Sequence, residues 1–280
     1  MRATVVPTLQ DLQVNNHRRD LGVETEPQAI RSWPSVSLVI PAMNEAKNIS
    51  WVLLRVPNWV EEVILVDGNS ADGTCDVARA IRPDIVIVHD PGRGKGAALR
   101  AGFNAAKGDF IVMIDADGSM DPSEIGRFAA ALSSNFDLVK GSRFMTGGGS
   151  TDITILRRMG NGALRALLNR LYGARLTDLC YGYCGFRRDC LPALNLTSDG
   201  FEIETEIAVQ ALNRGLRICE VPSDESPRGH GDSNLNTFRD GLRVLRLMMA
   251  GWLTPKGNPL ASKVAMPALR SPVLVDQNDC

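Results

Sequence analysis

Three acidic residues follow directly on an apolar run in the segment DFIVMIDADGSMDP, residues 109–122. The run has the continuous hydrophobicity of a buried strand, and Asp115, Asp117 and Asp121 come where that strand should end. Carboxylates this close repel one another unless water or a cation lies between them. Side chains two residues apart on an extended chain point to the same side, so Asp115 and Asp117 are suited to share one Mg²⁺ or Mn²⁺ with the phosphate oxygens of a ligand.

Asp121 has a second interpretation, which is structural. Asp121, Pro122 and Glu124 have the spacing of a helix N-cap, a proline at the first helical position and the glutamate of a capping box. We therefore expect Asp121 to begin a helix, and only the other two acids to serve a cation.

The elements that must position the acidic pair alternate between strand and helix. Apolar runs in SVSLVIPA, VEEVILVDG, DIVIVHD and DFIVMIDAD alternate with helical patterns in NEAKNISWVLLRV, GTCDVARAI and GKGAALRAGFNAAKG. This alternation predicts an α/β fold with a Rossmann-like, doubly wound, mostly parallel sheet and helices on both faces. Ligands of such sheets bind beyond the carboxyl ends of the strands, and Asp67 and Asp115 both follow predicted strands there.

Composition argues against several classes of protein. The formal net charge is −1 and basic residues are not pooled in one run, which argues against nucleic acid as a partner. The six cysteines form no CxxC pair, so we expect reduced thiols in a cytoplasmic protein. The beginning of the chain lacks the pattern of a signal peptide, and no apolar stretch approaches the ~18 residues of a membrane span. We expect the chain neither to cross a membrane nor to be exported by that route.

Five motifs occur in order, each at a predicted strand end or helix start. They are VIPAMNEAKNI, ILVDGNSADGT, GRGKGAALRAGF, MIDADGSMDP and DLVKGSRF. In this combination the chain resembles the family-2 glycosyltransferases of the GT-A fold, most closely the polyprenol-phosphate (dolichol-phosphate) mannose and glucose synthases, over residues 36 to about 247. The resemblance implies an inverting, metal-dependent hexosyltransferase that uses Mg²⁺ or Mn²⁺ and a nucleotide-diphosphate sugar of the GDP-mannose or UDP-glucose type.

The resemblance also implies which residues bind the nucleotide sugar. They are Pro41, Met43, Glu45, Asp67, Lys95, Asp115, Ala116, Asp117, Arg143, Arg228 and Asn234. Glu45 would contact ribose or base, while Asn44 beside it could equally cap a helix. Asp67 matches an acid that hydrogen-bonds the base. The glycines around Lys95 would let backbone amides at a helix start approach an anion.

Four positions depart from the family pattern. Gly68 stands where a second acid is usual, and Ser119 stands where a glutamine often provides a third metal ligand. Asn234 replaces a lysine near the diphosphate, and Asn161 replaces a serine. The first and third departures each remove a contact to the donor that the resemblance would otherwise imply.

The acceptor side offers arginines and several acids. Arg157 falls where the synthases place an arginine for the acceptor phosphate, although Arg158 is adjacent. A lipid phosphate is already an anion and needs no base, whereas a hydroxyl acceptor requires a carboxylate within hydrogen-bond reach. We therefore name Asp117, Arg143 and Asp178 as catalytic residues. The glutamates of GFEIETEI, on a strand or a helix, are further candidates for the base, and these are Glu202, Glu204 and Glu206.

The segment TFRDGLRVLRLMMAGWL, residues 237–253, has the pattern of an amphipathic helix. Arg239, Arg243 and Arg246 would form one stripe, which predicts a peripheral contact with the anionic cytoplasmic face of a membrane. An ordinary helix packed on the sheet has the same pattern. The opposite, apolar face would consist of Leu242, Leu245, Met248, Met249 and Trp252.

Composition divides the chain into three parts. Residues 1–34 and 255–280 are expected to form a flexible N-terminal extension and a flexible C-terminal tail. Residues 35–254 would form the GT-A domain, with a nucleotide-binding half at 36–145 and an acceptor-side half at 146–254. A polyprenyl phosphate is the expected acceptor. A soluble enzyme with a hydroxyl acceptor, a nucleotidyltransferase and a non-catalytic sugar-nucleotide binder are the alternatives.

Overall fold

A computed structural model describes residues 34–90, 92–231 and 236–253. Nearly all of the predicted N-terminal extension, the predicted tail at 255–280 and Asn234 lie outside these residues. Within them, no helix is long and apolar enough to cross a membrane. No disulfide joins the cysteines of the described part of the chain.

The central sheet has seven strands, and two short strands form a separate pair. The strands are β1 (Val36–Ala42), β2 (Glu62–Asp67), β3 (Val86–His89), β4 (Phe110–Met113), β5 (Leu138–Ser142), β6 (Gly149–Ser150), β7 (Cys184–Arg187), β8 (Ile218–Pro222) and β9 (Asp224–Glu225). The order in the large sheet is β3-β2-β1-β4-β7-β5-β8, and β6 pairs with β9. The predicted doubly wound, mostly parallel sheet is confirmed.

Eight α-helices of the described residues surround the sheet. They are α1 (Ile49–Leu53), α2 (Thr74–Ile81), α3 (Lys95–Ala105), α4 (Ile125–Ser133), α5 (Ile155–Tyr172), α6 (Leu191–Leu194), α7 (Ile203–Asn213) and α8 (Thr237–Leu253). The first is shorter than predicted, and Asn44 is not its N-cap. Asn44 has a positive φ of 58°, and its side-chain oxygen accepts the amide of Ala71 at 2.9 Å.

The core lies on both faces of the sheet. On one face α1, α2 and α4 cover strand side chains such as Leu38 and Val112, and Phe128 of α4 belongs to the same cluster. On the other face α3, α6 and α7 cover strand side chains such as Val39, and Ile207 of α7 belongs to that cluster. Because both faces are buried, the strands carry continuous apolar runs, as the sequence indicates.

Strand β7 runs antiparallel between β4 and β5. It brings the segment after α5 into the centre of the sheet. Strands from both sides of the predicted boundary at residue 145 therefore belong to one sheet. Gly185 of β7 leaves room for its neighbours, because a Cβ there would lie 3.3 Å from Val112 Cγ2. The predicted helix at 237–253 has the observed bounds of α8, which packs on α5 and α7 through Val244 and Met248.

Two local predictions can be compared directly with the structure. Asp121 is an N-cap, as predicted, because its carboxylate accepts the amide of Ser123 at 2.9 Å. Glu124 does not complete a capping box, since its carboxylate accepts from Ser223 and Asp224 instead. In GFEIETEI, α7 begins at Ile203, so the strand alternative is wrong. Glu204 accepts from Lys95, whereas Glu206 accepts the amide of Thr197, so the two carboxylates have different surroundings.

Candidate active site

A cavity of about 830 Å³ opens beyond the carboxyl ends of β1 and β4. Most of the predicted site residues line it. These are Pro41, Met43, Glu45, Lys95, Asp115, Ala116, Asp117, Arg143, Arg157 and Arg228. The sheet thus gathers residues that are far apart in the chain at the edge where an open α/β fold binds ligands.

Lys95 joins two acids inside the cavity. Its ammonium lies 2.5 Å from Asp115 Oδ1 and 2.6 Å from Glu204 Oε1. Burial, with the negative charges of Asp117 and Glu204, outweighs the ammonium and raises the pKa of Asp115 to about 6. Burial acts in the opposite direction on the ammonium, but the two carboxylates outweigh it and raise the pKa of Lys95. Lys95 is therefore a fixed positive charge beside the first predicted metal ligand.

Arg228 pairs with Asp117 as Lys95 pairs with Asp115. Its Nη1 lies 3.2 Å from Asp117 Oδ2, and its Nη2 forms an ion pair with Glu45. Its Nε donates to the carbonyl of His230 at 2.7 Å, which folds the loop around the guanidinium. Each acid of the pair thus carries one positively charged partner.

The acidic pair suits a hard divalent cation. Both carboxylates line the cavity, and both are ion-paired, which identifies them as the anionic centre of the site. Among the described residues, no three His, Cys, Asp or Glu side chains form a group that could hold a metal ion. Mg²⁺ is commonly held by one or two carboxylates that share it with substrate phosphates and water, so the donor set fits a cation that arrives with a diphosphate. Asp115 and Asp117 would be its protein ligands.

Asp67 does not reach the cavity wall. It is buried at the end of β2, where its carboxylate accepts the amide of Ser70 at 3.2 Å and lies 3.5 Å from His89 Nδ1. Asp67 and Asp115 follow parallel strands at the same edge of the sheet, as predicted, but only the second side chain lines the cavity. A hydrogen bond from Asp67 to a base stays a prediction.

At the start of α3, two backbone amides already have a partner within the chain, and only those of Gly94 and Lys95 stay predicted contacts for an anion. The amides of Gly96 and Ala97 donate to the carbonyl of Asp199, at 2.8 and 3.3 Å. A Cβ on Gly96 would collide with the backbone of residues 198–200, so the glycine permits close packing of this segment. The positive charge here comes from the Lys95 side chain alone.

Arg143 is buried at the other end of the cavity with two acidic partners. Its Nε and Nη2 donate to Asp178 at 2.7 and 3.0 Å, and its Nη1 lies 3.0 Å from Glu225 Oε2. Burial opposes the charge of the guanidinium, but the hydrogen bonds and charges of Asp178 and Glu225 outweigh it and raise the pKa of Arg143.

Asp178 lies behind Arg143 and away from the cavity wall. It is fully buried, and Asn161 Nδ2 donates to its Oδ1 at 2.9 Å. Asn161 also accepts the amides of Leu179 and Cys180, at 3.3 and 3.0 Å. In this position Asp178 fixes the orientation of Arg143 and does not contact the space where an acceptor would enter.

The sequence did not single out four acids that line the cavity. These are Asp90, Asp152, Glu225 and Asp240. Glu225 lies on β9 only three residues before Arg228, so its closeness to a predicted phosphate-binding arginine was the available signal. No pattern of spacing marks the other three.

The far end of the cavity is apolar and lies between α5 and α8. Its walls include Ile153, Leu164, Phe238, Leu242 and Leu245. The outer rim exposes Ile155, Leu156 and Met159 on α5, and Phe238 on α8 is 77% exposed. The predicted apolar face of α8 needs one correction, because Met248 is fully buried against α5 and α7 and cannot face outward.

Residues 37–194 match the family model described as glycosyl transferase family 2. The chain is 33% identical to Glycosyltransferase AglJ of Haloferax volcanii over 74% of this chain and 68% of that protein. It is also 33% identical to the undecaprenyl-phosphate mannosyltransferase of Micrococcus luteus, over 72% of this chain and 87% of that protein.

Among solved structures, the chain is similar in fold to glucosyl-3-phosphoglycerate synthase from Mycobacterium tuberculosis, whose complex contains Mn²⁺, UDP and phosphoglyceric acid. The TM-score is 0.64 at 22% identity, and the likeness covers 79% of this chain and 80% of that one.

Proposed function

We propose that this chain, which belongs to glycosyl transferase family 2, transfers a hexose from a nucleotide-diphosphate sugar to a polyprenyl phosphate. Membership of the family and the predicted GT-A fold are confirmed by the family match and by the fold likeness. Membership of a glycosyltransferase family also argues against the nucleotidyltransferase alternative. The donor, the acceptor and the inversion at the anomeric carbon are the proposed parts.

The observation that carries the proposal is that the cavity has one charged end and one apolar end. One end holds the acidic pair with Lys95 and Arg228, and the other end lies between the apolar side chains of α5 and α8. A charged sugar nucleotide and an acceptor with an apolar chain require such opposite surroundings around one transfer point. The named mannosyltransferase of Micrococcus luteus, which acts on undecaprenyl phosphate, supports this choice of acceptor.

The donor end suits a diphosphate held by a divalent cation. Asp115 and Asp117 would hold Mg²⁺ or Mn²⁺, which supplies neutralisation of the negative charge that develops on the leaving diphosphate. Lys95 and Arg228 already lie against these acids and are the cations of this chain that phosphate oxygens would meet first. The UDP and Mn²⁺ in the similar synthase structure support a nucleotide-sugar donor of this class.

The acceptor end needs positive charge more than a base. Inverting transfer is an in-line displacement in which the acceptor oxygen attacks opposite the leaving group. A lipid phosphate carries its negative charge before the reaction, so orientation by Arg143 and Arg157 would suffice. We further propose that α8 and the rim of α5 lie on the cytoplasmic face of a membrane, where such a lipid is met.

A hydroxyl acceptor is a second candidate, and one observation favours it. Glu225 lines the cavity beside Arg143 with 15% of its side chain exposed. A carboxylate at this point could take a proton from an attacking hydroxyl, which a phosphate acceptor would not require.

A panel of nucleotide sugars with Mn²⁺ tests the proposal. Release of nucleoside diphosphate is measured for each donor, with undecaprenyl phosphate in detergent, with glycerate-type hydroxyl acceptors, and without acceptor. We expect one hexose donor to turn over with the polyprenyl phosphate and to yield a glycosylated lipid phosphate by mass spectrometry. Turnover confined to hydroxyl acceptors would replace the primary proposal with the second candidate.

A further inference from the structure

Residues 224–231, here called the strap, place one negatively charged and one positively charged side chain in the cavity. These are Glu225 and Arg228, and both line the cavity wall. Each contacts the half of the site that carries the opposite charge. The strap therefore has one partner on the donor side and one on the acceptor side.

On the acceptor side, Glu225 occupies the cavity-facing end of Arg143. Its two oxygens accept from Arg143 Nη1 at 3.1 and 3.0 Å, and Ser150 Oγ donates to Oε2 at 2.5 Å. The remaining hydrogen bonds of the guanidinium go to the buried Asp178. An anionic acceptor that approaches Arg143 therefore meets a carboxylate already bound to it.

On the donor side, Arg228 likewise forms ion pairs with carboxylates of the cavity. It pairs with Asp117 at 3.2 Å and with Glu45. A cation that binds Asp117 competes with Arg228 for the same carboxylate, because the two positive charges repel each other at this distance. Binding of a metal-bound diphosphate thus favours movement of Arg228 away from Asp117 and toward the phosphates.

The backbone of the strap is hydrogen-bonded to both sides of the cavity. The amide of Thr151 donates to the carbonyl of Glu225 at 3.1 Å, and the amide of Ser226 donates to the carbonyl of Ser119 at 2.9 Å. Beyond these bonds, the amide of Gly229 donates to the carbonyl of Asp117 at 3.0 Å. The same short segment is thus bonded both to the acceptor side and to the loop that holds the acidic pair.

We infer that Glu225 and Arg228 are positioning residues that make donor binding and acceptor binding depend on each other. Release of Arg228 by the metal-bound diphosphate loosens the strap and lowers the free energy needed to separate Glu225 from Arg143. In the same way, an anionic acceptor that displaces Glu225 from Arg143 makes it easier to separate Arg228 from Asp117. Such coupling is reciprocal, so each ligand raises the affinity of the other by the same factor. The acceptor half of this inference rests on the proposed phosphate acceptor, whereas the donor half does not.

Titration calorimetry with geranyl phosphate, a soluble polyprenyl phosphate, tests the inference. The titration is performed with and without the nucleoside diphosphate, UDP or GDP, that binds together with Mn²⁺. We expect the nucleotide to tighten geranyl phosphate binding to the unaltered chain about 5-fold or more. In Glu225→Gln, geranyl phosphate should bind tightly without nucleotide, and the factor should fall to about 1, because Arg143 has lost its internal competitor.

Two further variants control for structural effects. Asp224→Asn removes the same charge from the adjacent residue, whose side chain does not line the cavity, and should keep the full coupling factor. Glu225→Asp keeps a carboxylate on the strap and should restore part of the coupling. An unchanged factor in Glu225→Gln overturns the inference while the acceptor class stands. A chain that binds the nucleotide but never geranyl phosphate overturns the proposed acceptor, and the inference with it.

Discussion

Lys95 and Asp115 form a 2.5 Å ion pair inside the cavity, and the same ammonium contacts Glu204 at 2.6 Å. The lysine begins α3, and Glu204 lies in the first turn of α7, so this pair of contacts joins two helices to the loop after β4. The ammonium neutralises an acid that would otherwise stand unpaired in a mostly buried site. Removal of the ammonium should therefore lower the stability of the chain most when no other cation is present.

Replacement of Lys95 by methionine should lower stability in EDTA by about 3 kcal/mol, because it leaves Asp115 and Glu204 without their shared cation. Excess Mn²⁺ should raise the unfolding temperature of the variant more than that of the unaltered chain, since the ion provides the missing positive charge. Urea and thermal unfolding, each with EDTA and with Mn²⁺, measure both effects.

Lys107→Met is the matched control for this experiment. Lys107 is exposed just beyond the other end of the same helix, and its replacement should change stability by less than about 0.5 kcal/mol in either buffer. An equal loss in Lys95→Met with and without Mn²⁺ would show that the lysine only packs, and that the acid beside it binds no cation.

Replacement of Asp117 by asparagine should reduce donor turnover at least ~100-fold with the fold intact. The substitution keeps the shape of the side chain and removes one charge from the predicted cation site. Arg228 retains Glu45 as its partner, so the strap stays anchored. Nucleoside diphosphate release, measured with Mn²⁺ and again with EDTA, should fall to the same level in the variant and in the metal-free chain.

Asp121→Asn separates the third acid from the other two. Asparagine is as good an N-cap as aspartate, so turnover should stay within about 2-fold and stability should change little. A large loss of turnover in this variant would indicate that Asp121 serves the cation as well, and would contradict the purely structural role that its hydrogen bond with the Ser123 amide indicates.

The sequence predicted the parts of the site that depend on local patterns. The position of Asp115 and Asp117 just beyond the end of β4 was predicted because a buried strand has a continuous apolar run and its end is visible in the residues that follow. The bounds of α8 were predicted for the same reason, since a helical period continues over 237–253. Patterns of this kind need no knowledge of which segments meet.

The parts that were missed depend on contacts between distant segments. Strand β7 is antiparallel because the chain returns between β4 and β5, and no local pattern in CGFR specifies that pairing. The glycines beside Lys95 resemble an anion-binding loop, yet the carbonyl of Asp199 accepts two of the amides at that helix start, those of Gly96 and Ala97. Glu225 lies near Arg228 in the sequence, but its ion pair with Arg143 joins segments 82 residues apart. The role of each of these residues is set by a partner that the sequence does not name.

A pair of glycine substitutions tests the close packing at the start of α3. Gly96→Ala should destabilise the chain by about 1–3 kcal/mol, because the new Cβ meets the backbone of residues 198–200 and neither side can move easily. Gly162→Ala places a Cβ where no atom lies within 4 Å, in the interior of α5, and should stabilise by about 0.5–1 kcal/mol. Denaturant unfolding of both variants should give opposite signs; a neutral Gly96→Ala would contradict the contact.

The proposed membrane contact predicts salt-sensitive binding to anionic vesicles. Arg239 and Arg246 are exposed on α8, and Arg243 is half-buried beside Asp240. The exposed apolar side chains of the same helix include Phe238 and those that follow, Leu242, Met249, Trp252 and Leu253. Each arginine near an anionic surface contributes about 1 kcal/mol. Co-sedimentation with phosphatidylglycerol vesicles at low salt should therefore fall strongly when the three arginines are changed to glutamine.

The matched control removes the same number of charges from elsewhere on the surface. Arg55, Arg79 and Arg127 are exposed outside α8, and their joint replacement by glutamine should leave co-sedimentation nearly unchanged. If both triple variants lose binding equally, net charge accounts for the effect and α8 has no special part in it. If the unaltered chain ignores anionic vesicles at low salt, a lipid acceptor would have to be met away from a surface. The hydroxyl acceptor, with Glu225 as its base, then becomes the better account of the cavity.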